Sequence, residues 1–258
     1  MDRPLIVEIA GKRRQTPLVT TLHFRDRAKA SPGQYYMIWV PGVDEIPMSL
    51  CEIGGLKGIA IHAKGEATRA LAAMEPGDRI GVRGPYGRGF EPRKGRALVV
   101  GGGTGIACLT PLVEVLARNG ARPTVVIGAK TASELLFVDR NRRMADVVVT
   151  TDDGTEGRKG LATDAVYELL TSGGFRQLYA CGPEPMLKMM LALAGCPAIP
   201  VQLSLERYMK CGIGICDSCA MGGRHICVEG PVMDGRTVMT LPEFGVFRRD
   251  ACGRKEKL

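Results

Sequence analysis

The sequence has 258 residues, of which 45% are hydrophobic and 24% are charged, and its formal net charge is +8. This composition excludes an intrinsically disordered chain, and the length predicts two domains of about 100 residues with a smaller module. No run of about 18 apolar residues occurs and the first residues, MDRPLIVEIAGKRR, lack the order of a signal peptide, so we expect a cytoplasmic protein outside the membrane.

The basic charge does not indicate nucleic-acid binding, because Lys and Arg are scattered and aromatic residues make up only 5% of the chain. It suits dinucleotide phosphates or an acidic protein partner equally well. We expect the tail FRRDACGRKEKL to be a solvated end, with a docking segment as the alternative. The nine cysteines favour metal ligation over disulfides, since the cytosol keeps thiols reduced.

The first 92 residues contain short runs of β character: LIVEIAG, LVTTLHFRD, QYYMIWVPG, GIAIHAKG and DRIGVRGPYG. Pro and Gly separate them at intervals of about ten residues, which predicts a small antiparallel barrel or sandwich. One helix is expected in ATRALAAME, ending at Pro76.

From Arg96 onward, apolar strands alternate with amphipathic helices. The strands are expected in RALVVGG, PTVVIGA, DVVVTTDDG and RQLYACG, and the helices in IACLTPLVEVLARNG, ATDAVYELLTSGG and PEPMLKMMLALAG. This alternation predicts a parallel sheet with right-handed crossovers. After Pro200 come a short strand, a group of cysteines and a Gly-rich end.

A Gly-rich turn, VVGGGTGIACLTPL, joins the first of these strands to its helix. Backbone amides and the helix dipole favour a phosphate at such a turn. Gly101 and Gly103 match the dinucleotide fingerprint, but Ile106 takes the third glycine's place, and Lys130 follows the next strand instead of a ribose-binding acid. We expect a turn that approaches a nucleotide, with a turn that only permits tight packing as the alternative.

A second loop, YACGPEPM, follows a later strand of the same sheet. Ligands of open α/β sheets bind at the carboxyl ends of the strands, so we expect Cys181, Gly182 and Pro183 to face the ligand of the first loop. The alternative for Cys181 is a small buried core residue.

Other polar residues give no catalytic site. Asp152 and Asp153 could bind a metal, but the flanking glycines favour an Asx-type turn. His23, His62 and His225 are too dispersed for a catalytic triad, so no catalytic acid or base is predicted on this chain.

Three closely spaced cysteines and a fourth, in the pattern C-x4-C-x2-C-x7-C, give the most specific signal: Cys211, Cys216, Cys219 and Cys227. The first three have the spacing of plant-type ferredoxins, whose [2Fe-2S] cluster needs four thiolates. Gly212 and Gly214 would let the backbone approach the inorganic sulfides. The alternatives are a structural zinc site, which usually shows paired C-x2-C motifs, and unpaired core cysteines. No such grouping includes Cys51, Cys108, Cys196 and Cys252.

A nicotinamide delivers two electrons together as a hydride, whereas an iron–sulfur cluster carries one. A flavin can exchange electrons with both, so the amino-terminal barrel is a candidate flavin domain.

The motifs and their order resemble a known family. PMSL, KGEATRAL, GPYGRGF, GGGTGI, TDDGTEGRKG, ACGPEPML and ERYMKCGIGICDSC…CVEGPV are similar, over nearly the whole chain, to the ferredoxin-reductase superfamily. Within it, the sequence most resembles the electron-transfer subunits of type B dihydroorotate dehydrogenase. The resemblance implies an α+β multidomain fold with an FAD-binding antiparallel β-barrel (1–93), an NAD-binding α/β parallel-sheet domain (94–201) and a C-terminal [2Fe-2S] module (202–258).

The same resemblance implies the cofactor-binding residues. Ile46 stands where the family's flavin motif has an arginine, for which Arg69 or Lys64 would substitute. The cluster would bind Cys211, Cys216, Cys219 and Cys227. NAD would bind Gly102, Gly103, Thr104, Gly105, Cys181, Gly182 and Pro183. FAD would bind Pro47, Met48, Ser49, Leu50, Ile61, His62, Ala63, Gly65, Ala67 and Thr68.

By resemblance, the chain would carry electrons from the FMN of a dihydroorotate dehydrogenase catalytic subunit, through the cluster and FAD, to NAD+ in de novo pyrimidine (UMP) biosynthesis. The complex would be a heterotetramer with two chains of each kind. Electron-transfer (gamma) subunits of hydrogenases or sulfite reductases share the cofactors and are the alternative. An alternative of another class is a non-enzymatic, zinc-bearing assembly module.

Overall fold

The computed structural model describes residues 3–195, 199–250 and 252–257. Cys196, one of the cysteines outside the C-terminal run, is not among these residues. Ala251 of the tail and the predicted domain limits Met1 and Leu258 also lie outside them. No helix in the described ranges has the length and apolar character needed to cross a membrane.

Six antiparallel strands close into a barrel in the order β1-β2-β5-β4-β3-β6, which confirms the predicted barrel. Alternate residues fill its interior, among them Leu22, Phe24, Ile38 and Leu50. The helix α1 (Glu66–Ala73) follows β5, as the sequence predicts. The strands are β1 (Leu5–Arg14), β2 (Val19–Arg25), β3 (Tyr35–Val40), β4 (Asp44–Ile53), β5 (Leu56–His62) and β6 (Arg79–Tyr86).

The strand β4 is the one barrel strand absent from the predicted runs. Its sequence, DEIPMSLCEI, contains Pro47, and proline inside a run argues against a strand. The structure accommodates it because residues 44–49 pair with β3, whereas pairing with β5 begins at Leu50. Pro47 pairs with Met37 and has no registered partner in β5, so it occupies a position where a strand tolerates proline.

The second layer is the predicted parallel sheet, in the order β10-β9-β8-β7-β11-β12. Apolar side chains of its strands and helices form two cores, one on each face. The strands are β7 (Ala97–Gly102), β8 (Thr124–Ala129), β9 (Asp146–Thr151), β10 (Arg158–Lys159), β11 (Gln177–Cys181) and β12 (Val201–Ser204). The helices are α2 (Ile106–Arg118), α3 (Val138–Arg142), α4 (Ala162–Ser172) and α5 (Glu184–Ala194).

The C-terminal segment packs against this sheet and the barrel. Its strand β15 pairs with β12 in antiparallel fashion, placing Met233 opposite Leu203. The tail, expected to be a solvated end, forms a hairpin of β16 and β17. The elements are β13 (Ala220–Met221), β14 (Arg224–His225), α6 (Ile226–Glu229), β15 (Val232–Asp234), α7 (Gly235–Met239), β16 (Phe247–Arg249) and β17 (Lys255–Lys257).

An ion network joins the barrel to the parallel-sheet domain. The guanidinium of Arg140 on α3 binds Glu114 of α2 at 2.6 Å and Glu52 of β4 at 3.4 Å. Glu52 in turn lies 3.3 Å from the imidazole of His23 on β2. These contacts link strands β2 and β4 of the barrel to helices α2 and α3 of the parallel-sheet domain.

Lys57 is expected to stabilise the barrel from within. Its side chain is 1% exposed, and its ammonium donates to the carbonyls of Ala28, Ile53 and Gly54 at 2.7, 3.1 and 2.6 Å. Because Lys57→Met leaves these carbonyls without their donor, we expect the free energy of unfolding to fall by about 2 kcal/mol in urea denaturation.

The matched control is Lys12→Met, which removes the ammonium that pairs with the exposed Glu75. We expect this variant to lose less than about 1 kcal/mol, as surface ion pairs do. Equal losses in the two variants would contradict a special contribution from Lys57.

Candidate functional site

The four cysteines of the C-terminal run lie in two pairs. The thiol of Cys211 lies near enough to that of Cys216 to affect its pKa, and the thiols of Cys219 and Cys227 affect each other in the same way. Cys219 and Cys227 are buried, whereas Cys216 is exposed. A two-iron cluster held by four cysteines takes two thiolates at each iron, so this arrangement suits such a cluster. Among the described residues, no three His, Cys, Asp or Glu side chains converge closely enough to hold a single metal ion.

Backbone amides favour negative charge on these sulfurs. Burial alone would raise the pKa of Cys211, but the N–H groups of Ile215 and Ile213, each 3.5 Å from its sulfur, help lower it to about 7. The Cys227 thiol and the Cys227 N–H, 3.4 Å away, lower the pKa of Cys219 to about 6 against the effect of burial. The contact with the Cys219 thiol, together with burial, raises the pKa of Cys227. One sulfur of each pair is thus prepared as a thiolate, the form that ligates iron.

Two glycines let the cysteine loop fit between the barrel and α6. Gly212 and Gly214 have φ angles of +73° and +78°, which side chains rarely adopt. A Cβ at Gly212 would lie 3.0 Å from the side chain of Met37, and one at Gly214 would lie 3.0 Å from Val228. The close contacts seen here are with protein side chains, so the predicted approach of Gly212 and Gly214 to inorganic sulfides stays a prediction.

The outer face of the barrel supports the same loop. The hydroxyl of Tyr35 on β3 donates to the carbonyl of Cys227 at 3.0 Å. The guanidinium of Arg83 on β6 donates to the carbonyl of Cys211 at 3.2 Å and binds Glu45 at 2.7 Å. The cysteine loop is therefore attached to the barrel through the backbone of two of its four cysteines.

The residues predicted to bind FAD lie on β4, on β5 and at the start of α1. The side chains of Leu50 and Ile61 belong to the barrel core, so only their backbone could contact a flavin. Ser49 and Ala63 are exposed. Pro47, Met48 and His62 are half-buried, and burial, with the nearby charge of Lys64, lowers the pKa of His62.

The start of α1 forms a compact turn. The hydroxyl oxygen of Thr68 accepts the N–H groups of Lys64 and Gly65 at 3.1 and 2.9 Å, and Ala67 is buried. The Arg69 guanidinium donates to the Lys64 carbonyl at 2.5 Å. Lys64 and Arg69, the predicted substitutes for the arginine missing at Ile46, thus lie together at an exposed edge.

The two loops predicted to bind NAD are neighbours, because β7 and β11 pair with Gly101 opposite Cys181. They also touch: a Cβ at Gly105 would lie 2.3 Å from the Cys181 carbonyl oxygen. At Gly102, a Cβ would meet Met186 at 2.7 Å and Pro183 at 3.1 Å. The two loops thus lie together at the carboxyl ends of β7 and β11, where Gly102, Gly103 and Thr104 are half-buried and Gly105 and Gly182 are buried.

The thiol of Cys181 is not exposed at these loops. It is buried beside Cys108 of α2, and a hydrogen bond with Cys108, together with burial, raises its pKa. The side chain is thus a small core residue, as the sequence-based alternative predicts. A contact with a nucleotide would have to use the backbone of Cys181.

The acidic loop after β9 does not require a metal. The Asp153 carboxylate accepts the N–H and the hydroxyl of Thr155 at 3.0 and 2.6 Å, and these hydrogen bonds lower its pKa. This geometry confirms the predicted Asx-type turn.

Sequence reasoning missed a buried ion pair between Glu184, at the start of α5, and Arg207, before the cysteine loop. Their side chains are 7% and 3% exposed. The Glu184 carboxylate also accepts the N–H of Gly245 at 2.7 Å, and desolvation lowers the pKa of Arg207 to about 10. The pair links the second glycine loop to the C-terminal segment. In sequence, each residue resembles an ordinary surface charge.

Glu206 was missed as well. The residue is exposed by its accessible surface, yet desolvation of its carboxyl by neighbouring protein atoms raises its pKa against the nearby charges of Lys64 and Arg248. The residue therefore lies where the barrel, the sheet and the C-terminal hairpin meet.

Comparison with known proteins agrees with the cysteine and glycine sites. Residues 206–239 match the family model of the iron–sulfur cluster binding domain of dihydroorotate dehydrogenase B, and residues 99–191 match the oxidoreductase NAD-binding domain. Probable dihydroorotate dehydrogenase B (NAD(+)) electron transfer subunits are similar over nearly their full length. The protein of Thermoplasma acidophilum is 44% identical over 92% of each chain, and that of Methanocaldococcus jannaschii is 40% identical over 99% of each.

The chain belongs to the dihydroorotate dehydrogenase B electron transfer subunits. It is an oxidoreductase subunit with an iron–sulfur binding domain and the FAD/NAD fold of the ferredoxin reductases. A solved chain of the NADH-dependent reduced ferredoxin-NADP oxidoreductase has a TM-score of 0.82 and 31% identity, covering 92% of this chain and 90% of that one. Phthalate dioxygenase reductase shares the fold, with a TM-score of 0.61 and 20% identity over 74% of this chain and 64% of that one.

The contact between the two glycine loops gives a testable requirement. Since a Cβ at Gly105 would overlap the Cys181 carbonyl, Gly105→Ala must separate the loops. We expect a loss of about 3 kcal/mol in the free energy of unfolding, measured by chemical denaturation.

Gly103→Ala is the control, because its Cβ would meet nothing within 4 Å and its cost is limited to the φ angle of +54°. That cost is about 1 kcal/mol. If Gly103→Ala destabilises the protein as much as Gly105→Ala, loop separation is not the cause.

Proposed function

We propose that the chain is the electron-transfer subunit of an NAD-dependent dihydroorotate dehydrogenase. It would accept electrons from the FMN of a catalytic partner, which oxidises dihydroorotate for pyrimidine biosynthesis, and deliver them to NAD+. The main supporting observation is the position of the two cysteine pairs, which lie between an exposed apolar surface and the barrel. The similarity to probable dihydroorotate dehydrogenase B (NAD(+)) electron transfer subunits supports the substrate and the acceptor.

We assign a [2Fe-2S] cluster to Cys211, Cys216, Cys219 and Cys227. Their spacing, their grouping in two pairs and the backbone amides near their sulfurs support this assignment. When bound, such a cluster accepts and releases one electron at a time. The chain's own contribution is to hold the thiolates and limit the access of water on the buried side.

We assign FAD to the surface formed by β4, β5 and the start of α1, and NAD to the two glycine loops. Lys64 and Arg69 would offset the charge of the FAD pyrophosphate in place of an arginine at position 46. The backbone around Gly102 and Gly182 would approach the nicotinamide dinucleotide closely. The barrel, the sheet and the cysteine module correspond to the proposed domains 1–93, 94–201 and 202–258, although β12 extends across the last limit.

The catalytic partner would bind around Cys216. Ile213, Ile215 and Val228 are 46%, 76% and 46% exposed; the first two flank Gly214 just before Cys216, and Val228 packs beside Gly214. Exposed apolar patches of this kind mark protein interfaces. Two chains of each kind would form the complex.

A second candidate comes from the similarity to the NADH-dependent reduced ferredoxin-NADP oxidoreductase. Under this hypothesis the cofactors remain the same, but a different electron-transfer protein replaces the dihydroorotate dehydrogenase partner.

The cluster assignment is tested with Cys216→Ser, since this exposed residue can be changed without opening the core. We expect the variant to lose the electron paramagnetic resonance signal of a reduced [2Fe-2S] cluster and to retain flavin absorbance. The control Cys252→Ser alters an exposed cysteine outside the run and should keep both. Wild-type protein that is colourless, or that contains zinc instead of iron, would refute the assignment.

The partner is tested by combining the chain with an FMN-containing dihydroorotate dehydrogenase catalytic subunit. We expect a stable complex on size-exclusion chromatography and NAD+ reduction that depends on dihydroorotate. Ile215→Lys should weaken the complex at least about tenfold, because it places a charge within the apolar patch.

Tyr167→Lys is the matched control, since Tyr167 on α4 is 60% exposed but lies outside the patch. If the wild-type chain retains its cofactors but neither binds this partner nor reduces NAD+ with it, the second candidate is favoured.

A further inference from the structure

The two faces of strand β3 pack into two different hydrophobic cores. Tyr36 and Ile38 point into the barrel core, whereas Tyr35 and Met37 point outward and belong to the core shared with the C-terminal segment. Tyr35 is only 2% exposed, although it lies on the outside of the barrel, because the cysteine loop covers it.

The hydroxyl of Tyr35 is placed among the backbone groups of the cysteine loop. It donates to the carbonyl of Cys227 at 3.0 Å and lies 3.4 Å from the carbonyl of Gly212. One side chain therefore contacts both the segment that carries Cys227 and the residue that follows Cys211.

The backbone of Tyr35 connects this contact to the proposed flavin surface. In the barrel ladder, Tyr35 pairs with Ser49 on β4 and with Tyr86 on β6. Ser49 belongs to the segment assigned to FAD. A single residue thus joins the strand beside the proposed flavin site to the backbone of a proposed cluster ligand.

A second contact from the same face strengthens this connection. Arg83 donates to the carbonyl of Cys211 from both terminal nitrogens, at 3.3 and 3.2 Å, while Glu45 holds the guanidinium at 2.8 and 2.7 Å. Arg83 restrains Cys211 of the first pair, and Tyr35 restrains Cys227 of the second.

We propose that Tyr35 is a positioning residue for electron transfer, whose hydroxyl fixes Cys227 against the barrel and raises the reduction potential of the centre that Cys227 holds. This inference rests on the proposed function. Hydrogen bonds around the ligands of a metal centre orient them and adjust its potential. A hydrogen bond donated to the Cys227 carbonyl withdraws electron density from that ligand, which favours the reduced state.

The test compares Tyr35→Phe with Tyr36→Phe in the full chain. Both changes remove one phenolic hydroxyl from adjacent residues of β3, but the Tyr36 side chain belongs to the barrel core and its hydroxyl donates to Asp26. Each protein is titrated anaerobically with dithionite, which supplies one electron per cluster, and the reduced fraction is followed by electron paramagnetic resonance.

We expect Tyr35→Phe to bind as much iron as the wild type but to show a more negative potential. At a fixed solution potential, its ratio of reduced to oxidised centres should be about fivefold lower, the effect of losing one hydrogen bond. Tyr36→Phe should titrate like the wild type. A Tyr35→Phe protein with full iron content and the wild-type titration curve would overturn the proposal.

If Tyr35→Phe binds less iron, a difluorotyrosine incorporated at Tyr35 replaces it, because it keeps the hydroxyl and makes it a stronger donor. The potential must then become more positive, and an unchanged potential would overturn the proposal. A wild-type chain with no [2Fe-2S] signal would refute the proposed function itself, whereas a normal wild type with an unaffected Tyr35→Phe would refute only the role of Tyr35.

Discussion

The antiparallel pairing of β15 with β12 is the interaction on which the arrangement of the cofactor sites depends. It brings the chain back to the sheet after the cysteine run, so that Met233 lies opposite Leu203 and Cys219 and Cys227 share a core with the sheet. The same core includes Tyr35 and Met37 from the outer face of the barrel. The cysteine module therefore has no separate core, and its position is set by the sheet on one side and by the barrel on the other.

Backbone geometry shapes both the cysteine loop and the two glycine loops. Amide N–H groups point at the sulfurs of Cys211 and Cys219, and positive φ angles at Gly212 and Gly214 allow this loop geometry. At the two glycine loops, the close contact between Gly105 and the Cys181 carbonyl leaves no room for a side chain at position 105. Both sites rely on main-chain groups, which lose little conformational freedom on binding.

Most of the architecture could be predicted from periodicity, because alternating strands and helices specify a parallel sheet and regular turns specify a barrel. The strand β4 could not be predicted in this way, because it contains Pro47. The strand tolerates this proline since Pro47 pairs with β3 and has no registered partner in β5, and only the closed barrel shows that pairing. The cysteine spacing favours the proposed [2Fe-2S] cluster, but it contains no information about Tyr35, Arg83 or the Glu184–Arg207 pair. These contacts join residues far apart in sequence, and only the fold brings them together.

The buried pair of Glu184 and Arg207 has a consequence for how the sequence can change. Both side chains are almost completely removed from water, so loss of either charge would leave the other unpaired in an apolar setting, at a cost of about 3–5 kcal/mol. Replacing both together with apolar residues of similar volume would avoid the unpaired charge, although the N–H of Gly245 would lose its acceptor. A change at Glu184, after the second glycine loop, is therefore tolerated best together with a matching change at Arg207, before the cysteine loop, although the two positions are far apart in sequence.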